Sequence, residues 1–524
     1  MRILMICTEK LPVPPVLGGA IQTYISSILP YVNQFHDMTV LGISDSSLPE
    51  QETIQGVHYV RVPGKLFEIY RENVVRYVEA NEFDLIHIFN RPRLVLPIRQ
   101  AAPAAKITLS MHNDMFQPEK IDPEEAAAAI AEVAHIVTVS DYIGNVIRNL
   151  YPQASPKLRT IYSGVDSERF LPGNHPNMQK IRHDIRRAHG LENKTVILFA
   201  GRLSRNKGVD KLILALPELA KKFQNVALVI VGSNWFSEND MTDYVAYVRA
   251  LAKRMPVPVV TTGFVAPNEI QNWFAAADLF VCTSQWQEPL ARVHYEAMAA
   301  GLPIVTTARG GNPEVIFANE NGLIVENPED PSDFANKIAQ ILSDQSLMRR
   351  MGEKGRQLAI SIYQWERVAS ELLEVWEQAE KTEQAAASEE QAAGMTIEPL
   401  EEEATEQRNL PIPKADAKEN VHSKKNAAAS SDKTKKEKKP KKESATSMED
   451  HQRTAKQKEA AAERTELAKN APAPKQPQTG RHIKPFTIAS GNQQTLDASP
   501  KTHLNRKLAQ AKHDTKHFTI ASSH

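Results

Sequence analysis

Short apolar runs alternate with longer segments of helical periodicity through the first 378 residues of this chain of 524. Segment 20–33 carries apolar side chains at close to helical spacing, at Ile21, Ile25 and Ile28. This alternation is typical of a parallel sheet with crossover helices, and it therefore predicts an α/β fold. The runs that we interpret as buried strands of a first sheet are residues 3–7, 38–42, 85–89, 107–111 and 136–139.

The alternation pauses at residues 172–191, where prolines and a charged stretch predict a linker and an entry helix. A second series follows, with predicted strands at 196–200, 226–231, 257–262, 279–283 and 303–306, and predicted helices at 209–223, 268–277 and 289–300. We therefore expect two facing, doubly wound, Rossmann-like domains with ligands bound beyond the carboxyl ends of their strands. The expected boundaries are 1–172, completed by a C-terminal helix at about 363–378, and 185–362.

Residues 379–524 are rich in Ala, Lys, Glu, Pro and Ser, and we expect a disordered low-complexity tail. One sequence, Phe-Thr-Ile-Ala-Ser, occurs twice there, from Phe486 to Ser490 and from Phe518 to Ser522. Alternating Phe and Ile side chains would lie on one face of an extended strand, so the repeats could add to the sheet edge of a partner protein. Drift in a low-complexity tail is the alternative.

Bulk properties exclude several classes of protein. Basic and acidic side chains are equal in number, 63 each, so no overall field favours nucleic acid. Cys7 and Cys282 are the only cysteines, and each ends an apolar run, which is typical of buried reduced thiols. No run is long enough for a signal peptide or a membrane span, and we expect a cytoplasmic protein.

Glu288 and Glu296 are the strongest functional signal. Glu288 precedes Pro289, which suits the first position of a helix, and Glu296 would then follow about two turns later, roughly 12 Å along the axis. A retaining glycosidase needs its carboxyl groups about 5 to 5.5 Å apart, so the pair better suits two ends of a long ligand such as a nucleotide-sugar. The alternative is a helix with ordinary glutamates.

Two loops suggest phosphate binding. Arg202 and Lys207 follow the predicted strand 196–200 and precede a helix. The helix dipole disfavours cations at this end, so their position favours an anion bound between them. Gly18 and Gly19 precede the first long helix and would allow a phosphate to approach the backbone, although no Gly-x-Gly-x-x-Gly follows the first strand. A solvated basic loop and a simple turn are the alternatives.

Two further strand ends carry candidates. Gly310 and Gly311 follow the predicted strand 303–306, and free amides there could bind a sugar or a phosphate; a plain turn is the alternative. His112 ends the run 107–111 and would face the crevice between the domains, although a lone histidine is often structural.

Together these motifs resemble glycosyltransferase family 4, a group of GT-B enzymes, over residues 1 to about 378. The family's Glu-x7-Glu motif corresponds to Glu288 and Glu296, its Gly-Arg-Leu…Lys-Gly loop to Gly201, Arg202 and Lys207, its glycine pair to Gly18 and Gly19, and its crevice histidine to His112. The resemblance is strongest to the spore-coat members of the family.

The resemblance implies retaining transfer of a sugar from a nucleotide-sugar to a glycan, lipid-linked or protein acceptor, without a metal or another cofactor. It implies that Arg202 and Lys207 hold the diphosphate, that Glu296 holds the ribose, and that Glu288 holds the donor sugar with the Gly310–Gly311 turn. The implied catalytic residues are Glu288, His112, Arg202 and Lys207, and Leu290 and Ala291 would also contact the donor. A spore-coat protein would be the partner of the tail repeats.

Two positions depart from the family pattern. Ala291 stands where the family usually has glycine, and its methyl group could narrow the donor pocket. Arg292 stands where an apolar residue is common and could add a phosphate contact. An active glycosyltransferase, a catalytically silent coat or scaffold protein, and a nucleotide-sugar epimerase therefore remain as function classes.

Overall fold

The computed structural model describes residues 1–234 and 240–394 of the chain, with side chains through residue 381. The tail repeats at 486–490 and 518–522, like most of the predicted tail, lie outside the described residues. Two sheets with helices around them lie within one compact unit of the chain, and this architecture confirms the predicted α/β fold.

The first sheet has eight strands in the order β3-β4-β2-β1-β5-β6-β7-β8. All neighbouring pairs are parallel except β3 and β4, which form an antiparallel edge. Its strands are β1 Arg2–Ile6, β2 Asp37–Ile43, β3 Gln51–Ile54, β4 Val57–Val62, β5 Leu85–Phe89, β6 Lys106–Met111, β7 His135–Thr138 and β8 Leu158–Thr160.

The second sheet has six strands, all parallel, in the order β11-β10-β9-β12-β13-β14. Its strands are β9 Thr195–Ala200, β10 Val226–Val231, β11 Val259–Gly263, β12 Leu279–Val281, β13 Ile304–Thr307 and β14 Gly322–Val325. The predicted strands of both sheets are found within a few residues of their expected bounds. Four strands, β3, β4, β8 and β14, were not predicted.

Helices connect the strands and cover both sheets. They are α1 Ala20–Val32, α2 Phe67–Glu79, α3 Val95–Ala101, α4 Pro123–Glu132, α5 Asp141–Leu150, α6 Pro176–Ala188, α7 Val209–Lys222, α8 Asp243–Ala252, α9 Ile270–Ala276, α10 Val293–Ala299, α11 Pro331–Leu342, α12 Gln345–Ser361 and α13 Trp365–Gly394. None of these described helices combines the length and apolar character that a membrane crossing requires.

Helix α13 differs from the prediction at its end. The sequence pattern predicts that the last ordered helix ends near residue 378, but α13 continues to Gly394. The segment after 378 is rich in alanine and glutamate, which favour a helix even where few apolar side chains are available for packing. The domain boundaries that we inferred from sequence stay predictions.

Each sheet is buried on both faces, as parallel sheets usually are. Alternate residues of β1 illustrate this: Leu4 and Ile6 belong to the apolar cluster on one face, and Ile3 and Met5 to the cluster on the other face, which contains α1 and α13. Cys7 and Cys282 are free and buried, as predicted.

The strand order reverses direction once in each sheet, between β1 and β5 and between β9 and β12. Loops that leave the carboxyl ends of two such strands diverge and leave a crevice, which is where doubly wound sheets bind ligands. The Gly18–Gly19 loop follows β1, Arg202 and Lys207 follow β9, and Glu288 follows β12.

Candidate active site

Glu288 lies in the loop between β12 and α10 and not at a helix start. Helix α10 begins at Val293, with Arg292 at its cap, so the prediction that Pro289 opens the helix is wrong. Hydrogen bonds to a neighbouring loop hold this segment in a non-helical path: the Ala291 N–H donates to Asn312 Oδ1 at 3.1 Å. Glu296 therefore lies in the first turn of α10. The axial distance expected for a shared helix does not apply.

Three donors converge on one oxygen of the buried Glu288 carboxylate. Lys207 Nζ lies 2.6 Å from Oε2, Trp286 Nε1 2.7 Å and Ser284 Oγ 2.8 Å. Burial by itself raises the pKa of Glu288, but Lys207 and the other two donors outweigh burial and lower it below the ordinary value. Glu288 is therefore an ionised carboxylate held in a fixed orientation.

The loop after β9 packs directly against the loop after β12. Gly208 has a left-handed φ of 61°, and a Cβ there would lie 2.7 Å from the Thr283 carbonyl oxygen. Thr283 Oγ1 donates to the Lys207 carbonyl oxygen at 2.5 Å. Burial lowers the pKa of Arg202, and Glu288 partly offsets this effect. The structure thus brings Arg202, Lys207 and Glu288 together.

Gly310 and Gly311 lie against the backbone of the same loop. A Cβ at Gly310, where φ is 57°, would lie 2.0 Å from the Glu288 carbonyl oxygen, so this close approach requires glycine. The Gly310 N–H donates to Gln287 Oε1 at 2.6 Å, and the Gly311 N–H donates to the Glu288 carbonyl at 2.9 Å. The expectation of free amides is therefore wrong, because both amides hold the Glu288 loop in place.

Leu290 and Ala291 are buried in an apolar cluster on one face of the second sheet. The Ala291 carbonyl bonds His294 Nδ1 at 2.7 Å, and His294 Nε2 bonds Thr306 Oγ1 at 2.7 Å. Ala291 is thus held through both its N–H and its carbonyl oxygen, with only 7% of its surface exposed. Its effect on a donor pocket stays a prediction.

Glu296 faces Arg292, with Glu296 Oε1 3.7 Å from Arg292 Nη2. Burial raises the pKa of Glu296, while Arg292 and Arg169 act in the opposite direction. The Arg292 guanidinium also reaches the first sheet, because Nη1 lies 3.4 Å from the carbonyl oxygen of Ala20, the residue after Gly19. Glu296 and the glycine pair are therefore linked through Arg292.

Gly18 and Gly19 adopt left-handed φ angles of 88° and 107° at the start of α1. Side chains other than glycine rarely adopt a φ of 107°, so the turn requires glycine at position 19. The cap of α1 has no side-chain hydrogen bond, and its first turn has no acidic residue. An anion would be favourable at this helix end.

His112 directly follows β6, a strand of the first sheet. Its ring packs edge-on against Tyr24, with 4.9 Å between ring centroids, and its backbone N–H donates to Asn90 Oδ1 at 3.1 Å. Burial, assisted by Arg292, lowers the pKa of His112 to about 3. The imidazole is therefore neutral at physiological pH and can offer a hydrogen bond but no positive charge.

Several residues of the site escaped sequence reasoning. Ser284 and Trp286 lie within the motif run but carry no chemical signal until their bonds to Glu288 are seen. Glu314 is also unexpected, because its carboxylate accepts the N–H groups of Asp141 and Tyr142 at 2.8 and 2.7 Å and so caps α5 from the other half of the unit. Contacts between residues so far apart in sequence have no local pattern.

Comparisons with known proteins agree with this geometry. A family model described as Glycosyl transferases group 1 matches residues 181–358, and one described as Glycosyltransferase Family 4 matches residues 21–169. Spore coat protein SA of Bacillus subtilis is 44% identical over 377 residues, which are 72% of this chain and 99% of that protein. The putative glycosyltransferase YtcC of the same organism is 41% identical over 72% of this chain and 92% of that protein.

A solved structure shares the architecture of the two sheets. Anabaena Alr3699/HepE in complex with UDP has a TM-score of 0.57 and 22% sequence identity, and the match covers 72% of this chain and all of that one. At this identity, the likeness concerns the fold.

Proposed function

Since the chain belongs to glycosyltransferase family 4 and has the GT-B fold, we propose that it transfers a sugar from a nucleotide-sugar to an acceptor hydroxyl with retention of anomeric configuration. That the chain is a glycosyltransferase follows from its family. The donor, the stereochemistry and the acceptor are the proposal.

The contact between Lys207 and Glu288 carries the proposal. It joins the loops after β9 and β12 at the switch point of the second sheet, and the 2.6 Å separation keeps one cation and one carboxylate side by side. A carboxylate that is ionised and fixed can bind sugar hydroxyls. The ammonium has further N–H donors for a phosphate oxygen, because only one is needed for Glu288.

Charge on the departing diphosphate is the main electrostatic demand of the proposed reaction. We assign its stabilisation to Arg202, Lys207 and helix N-termini, which are in place before the reaction, and to no metal. The acceptor hydroxyl attacks on the face that the nucleotide leaves, and a leaving phosphate oxygen takes the proton. Glu288 binds the donor sugar in this scheme and does not act as a nucleophile.

The remaining implied contacts complete the donor site. Glu296 binds the ribose hydroxyls, and neutral His112 offers a hydrogen bond from the first sheet. Gly18 and Gly19 allow the phosphates to approach α1, whereas Gly310 and Gly311 act by holding the Glu288 loop. This division assigns the ribose and the donor sugar to the second sheet and the acceptor to the first, with the phosphates between the second sheet and α1.

A panel of nucleotide-sugars, tested by thermal unfolding, checks the donor. A donor at about 100 times its dissociation constant should add roughly 2.7 kcal/mol of stability. We expect Glu296→Ala to abolish the shift and Glu320→Ala, an exposed carboxylate paired with Lys354, to preserve it. If no nucleotide-sugar stabilises the wild-type chain, the proposal is wrong.

Product analysis separates transfer from epimerisation. With the donor from the panel and a mixture of glycan, lipid-linked and protein acceptors, a transferase forms a new glycoside and releases a nucleoside diphosphate. An epimerase would instead convert the donor without an acceptor product. Retention is read from the anomeric configuration of the glycoside.

We further propose that the protein works in the cytoplasm on spore-coat or cell-surface glycans, as its likeness to Spore coat protein SA suggests. The repeats beginning at Phe486 and Phe518 would bind a coat protein by strand addition. Deletion of residues 480–524 should abolish coat association and leave donor binding intact. Unchanged association would contradict this role of the repeats.

A further inference from the structure

Arg292 is a largely buried cation with weak polar contacts. Its side chain is 18% exposed. Among the residues that the structure describes, its polar contacts are the 3.4 Å hydrogen bond to the Ala20 carbonyl and the 3.7 Å ion pair with Glu296. Burial of a charged group is costly unless hydrogen bonds compensate it, and a guanidinium has several N–H donors to satisfy.

Arg91 shows how this chain accommodates another buried guanidinium. Its Nε and Nη2 donate to the two oxygens of Glu9 at 2.6 and 2.8 Å, and its Nη1 donates to the Asn90 carbonyl at 2.7 Å. Arg292 has no such fork. The difference indicates that its donors are kept for a ligand.

The surroundings of Arg292 favour an anion. The guanidinium lies over the Trp365 ring, with 5.4 Å between Cζ and the ring centroid, and this contact holds the cation in place without using its N–H donors. Glu296 is shared between Arg292 and Arg169, so positive charge exceeds negative charge here. Because α1 starts at Ala20 without a side-chain cap or an acidic first turn, its N-terminus adds a further partial positive charge.

The geometry points to Arg292 as a further donor-binding residue, which binds the diphosphate of the donor together with the N-terminus of α1. This inference rests on the proposed function, which assigns the sugar to Glu288 and the ribose to Glu296. In a nucleotide-sugar the diphosphate joins the sugar to the ribose, so it is the anion that would lie beside the Arg292 side chain. Phosphate oxygens then replace the long contact with the Ala20 carbonyl by short, charge-assisted hydrogen bonds.

Such a site draws on both halves of the unit. Ala20 follows the loop after β1 of the first sheet, whereas Arg292 follows β12 of the second. The diphosphate would therefore bridge the two sheets, in addition to the contacts from Arg202 and Lys207.

Calorimetric titration of the full chain with UDP, GDP and ADP, and with the matching monophosphates, tests the inference. We expect Arg292→Leu to weaken the binding of the preferred nucleoside diphosphate by about tenfold or more, and that of its monophosphate much less. Arg292→Lys should recover part of the loss. Arg349→Leu, which removes an arginine that is 72% exposed, is the control.

The outcomes separate the two proposals. If the wild-type chain binds no nucleoside diphosphate, the proposed function fails and the inference with it. If the wild type binds one and Arg292→Leu binds it equally well, or loses diphosphate and monophosphate equally, only the inference is overturned. Thermal unfolding checks each variant, and Arg292→Gln serves the same comparison if the leucine variant does not fold.

Discussion

At the scale of single residues, Lys207 is the charged partner of Glu288, because its ammonium is the only charged donor among the three on Glu288 Oε2. Under the proposed function, Lys207→Ala removes a phosphate contact and leaves a buried carboxylate without its cation. We expect the turnover number to fall by about tenfold or more, measured as release of nucleoside diphosphate from the donor found in the panel.

Lys211→Ala is the matched control for this variant. Lys211 lies in the first turn of α7, and its ammonium donates to the Glu329 carbonyl at 3.0 Å, away from Glu288. Its removal should leave turnover unchanged. Equal turnover of Lys207→Ala and the wild type would exclude Lys207 from the site.

The buried pair of Glu9 and Arg91 makes a prediction about acid stability. Burial raises the pKa of Glu9, but Arg91 outweighs burial, and the net pKa is lowered. The stabilisation is therefore present above the unfolded pKa, about 4.5, and is lost as the pH falls through the folded value. Glu9→Gln should cost about 3 to 5 kcal/mol of unfolding free energy at pH 7, because it leaves Arg91 buried without its anion.

Urea unfolding at pH 7 and at pH 3 to 4 measures this effect. The difference between wild type and Glu9→Gln should shrink at the lower pH, where the wild-type carboxyl begins to protonate. Glu82→Gln, which alters a carboxylate that is 88% exposed, should change little at either pH. A constant difference across this range would contradict the assigned pKa.

At the scale of elements, the sequence predicts those strands and helices that a local pattern of residues determines. Strand β10 is found at the predicted residues 226–231 because a continuous apolar run is typical of a buried parallel strand. Strand β3 was missed because this antiparallel edge strand is mostly exposed and lacks such a run. The predicted start of α10 is wrong because two hydrogen bonds override the preference of proline for a first helical turn. The Ala291 N–H donates to Asn312 Oδ1, and the Gly311 N–H donates to the Glu288 carbonyl.

The same distinction applies to the site. Glu288, Lys207 and Arg202 were found from charge and position after predicted strands, which are local signals. Glu314 was not found, because it acts on α5, more than 170 residues away in sequence. A residue whose role depends on a distant backbone group has no pattern of its own.

Helix α5 provides a prediction at this scale. The Glu314 carboxylate accepts two N–H groups at the N-terminus of α5, and it accepts the Tyr162 hydroxyl at 3.1 Å. Glu314 thus acts as a capping residue that another segment supplies. Glu314→Ala should lower the unfolding free energy by roughly 0.5 to 2 kcal/mol in urea. Glu353→Ala, which removes an exposed glutamate of α12, should have little effect. Equal stability of the two variants would exclude this capping role.

At the scale of the whole molecule, α13 connects the two halves. The chain leaves the second sheet after α12 and returns to the first, where Trp376 is fully buried and its Nε1 lies 3.2 Å from His87 Nδ1. Trp365 contacts Tyr24 of α1, with 5.6 Å between ring centroids, and lies beneath Arg292. The first sheet therefore completes its core with residues that follow the second sheet in sequence.

Two truncations test how much of the chain the enzyme needs. A chain ending after Gly394 keeps α13, and the 99% coverage of Spore coat protein SA by a 377-residue match shows that a relative is complete at about that length. It should unfold at the same temperature as the full chain and give the same shift with a nucleotide-sugar. A chain ending after Ile362 loses Trp365 and Trp376 from the core of the first sheet and should not give a cooperative transition, because removal of one buried tryptophan costs about 3 to 5 kcal/mol. If the chain that ends after Gly394 loses the ligand shift, part of donor binding would instead be assigned to residues 395–524.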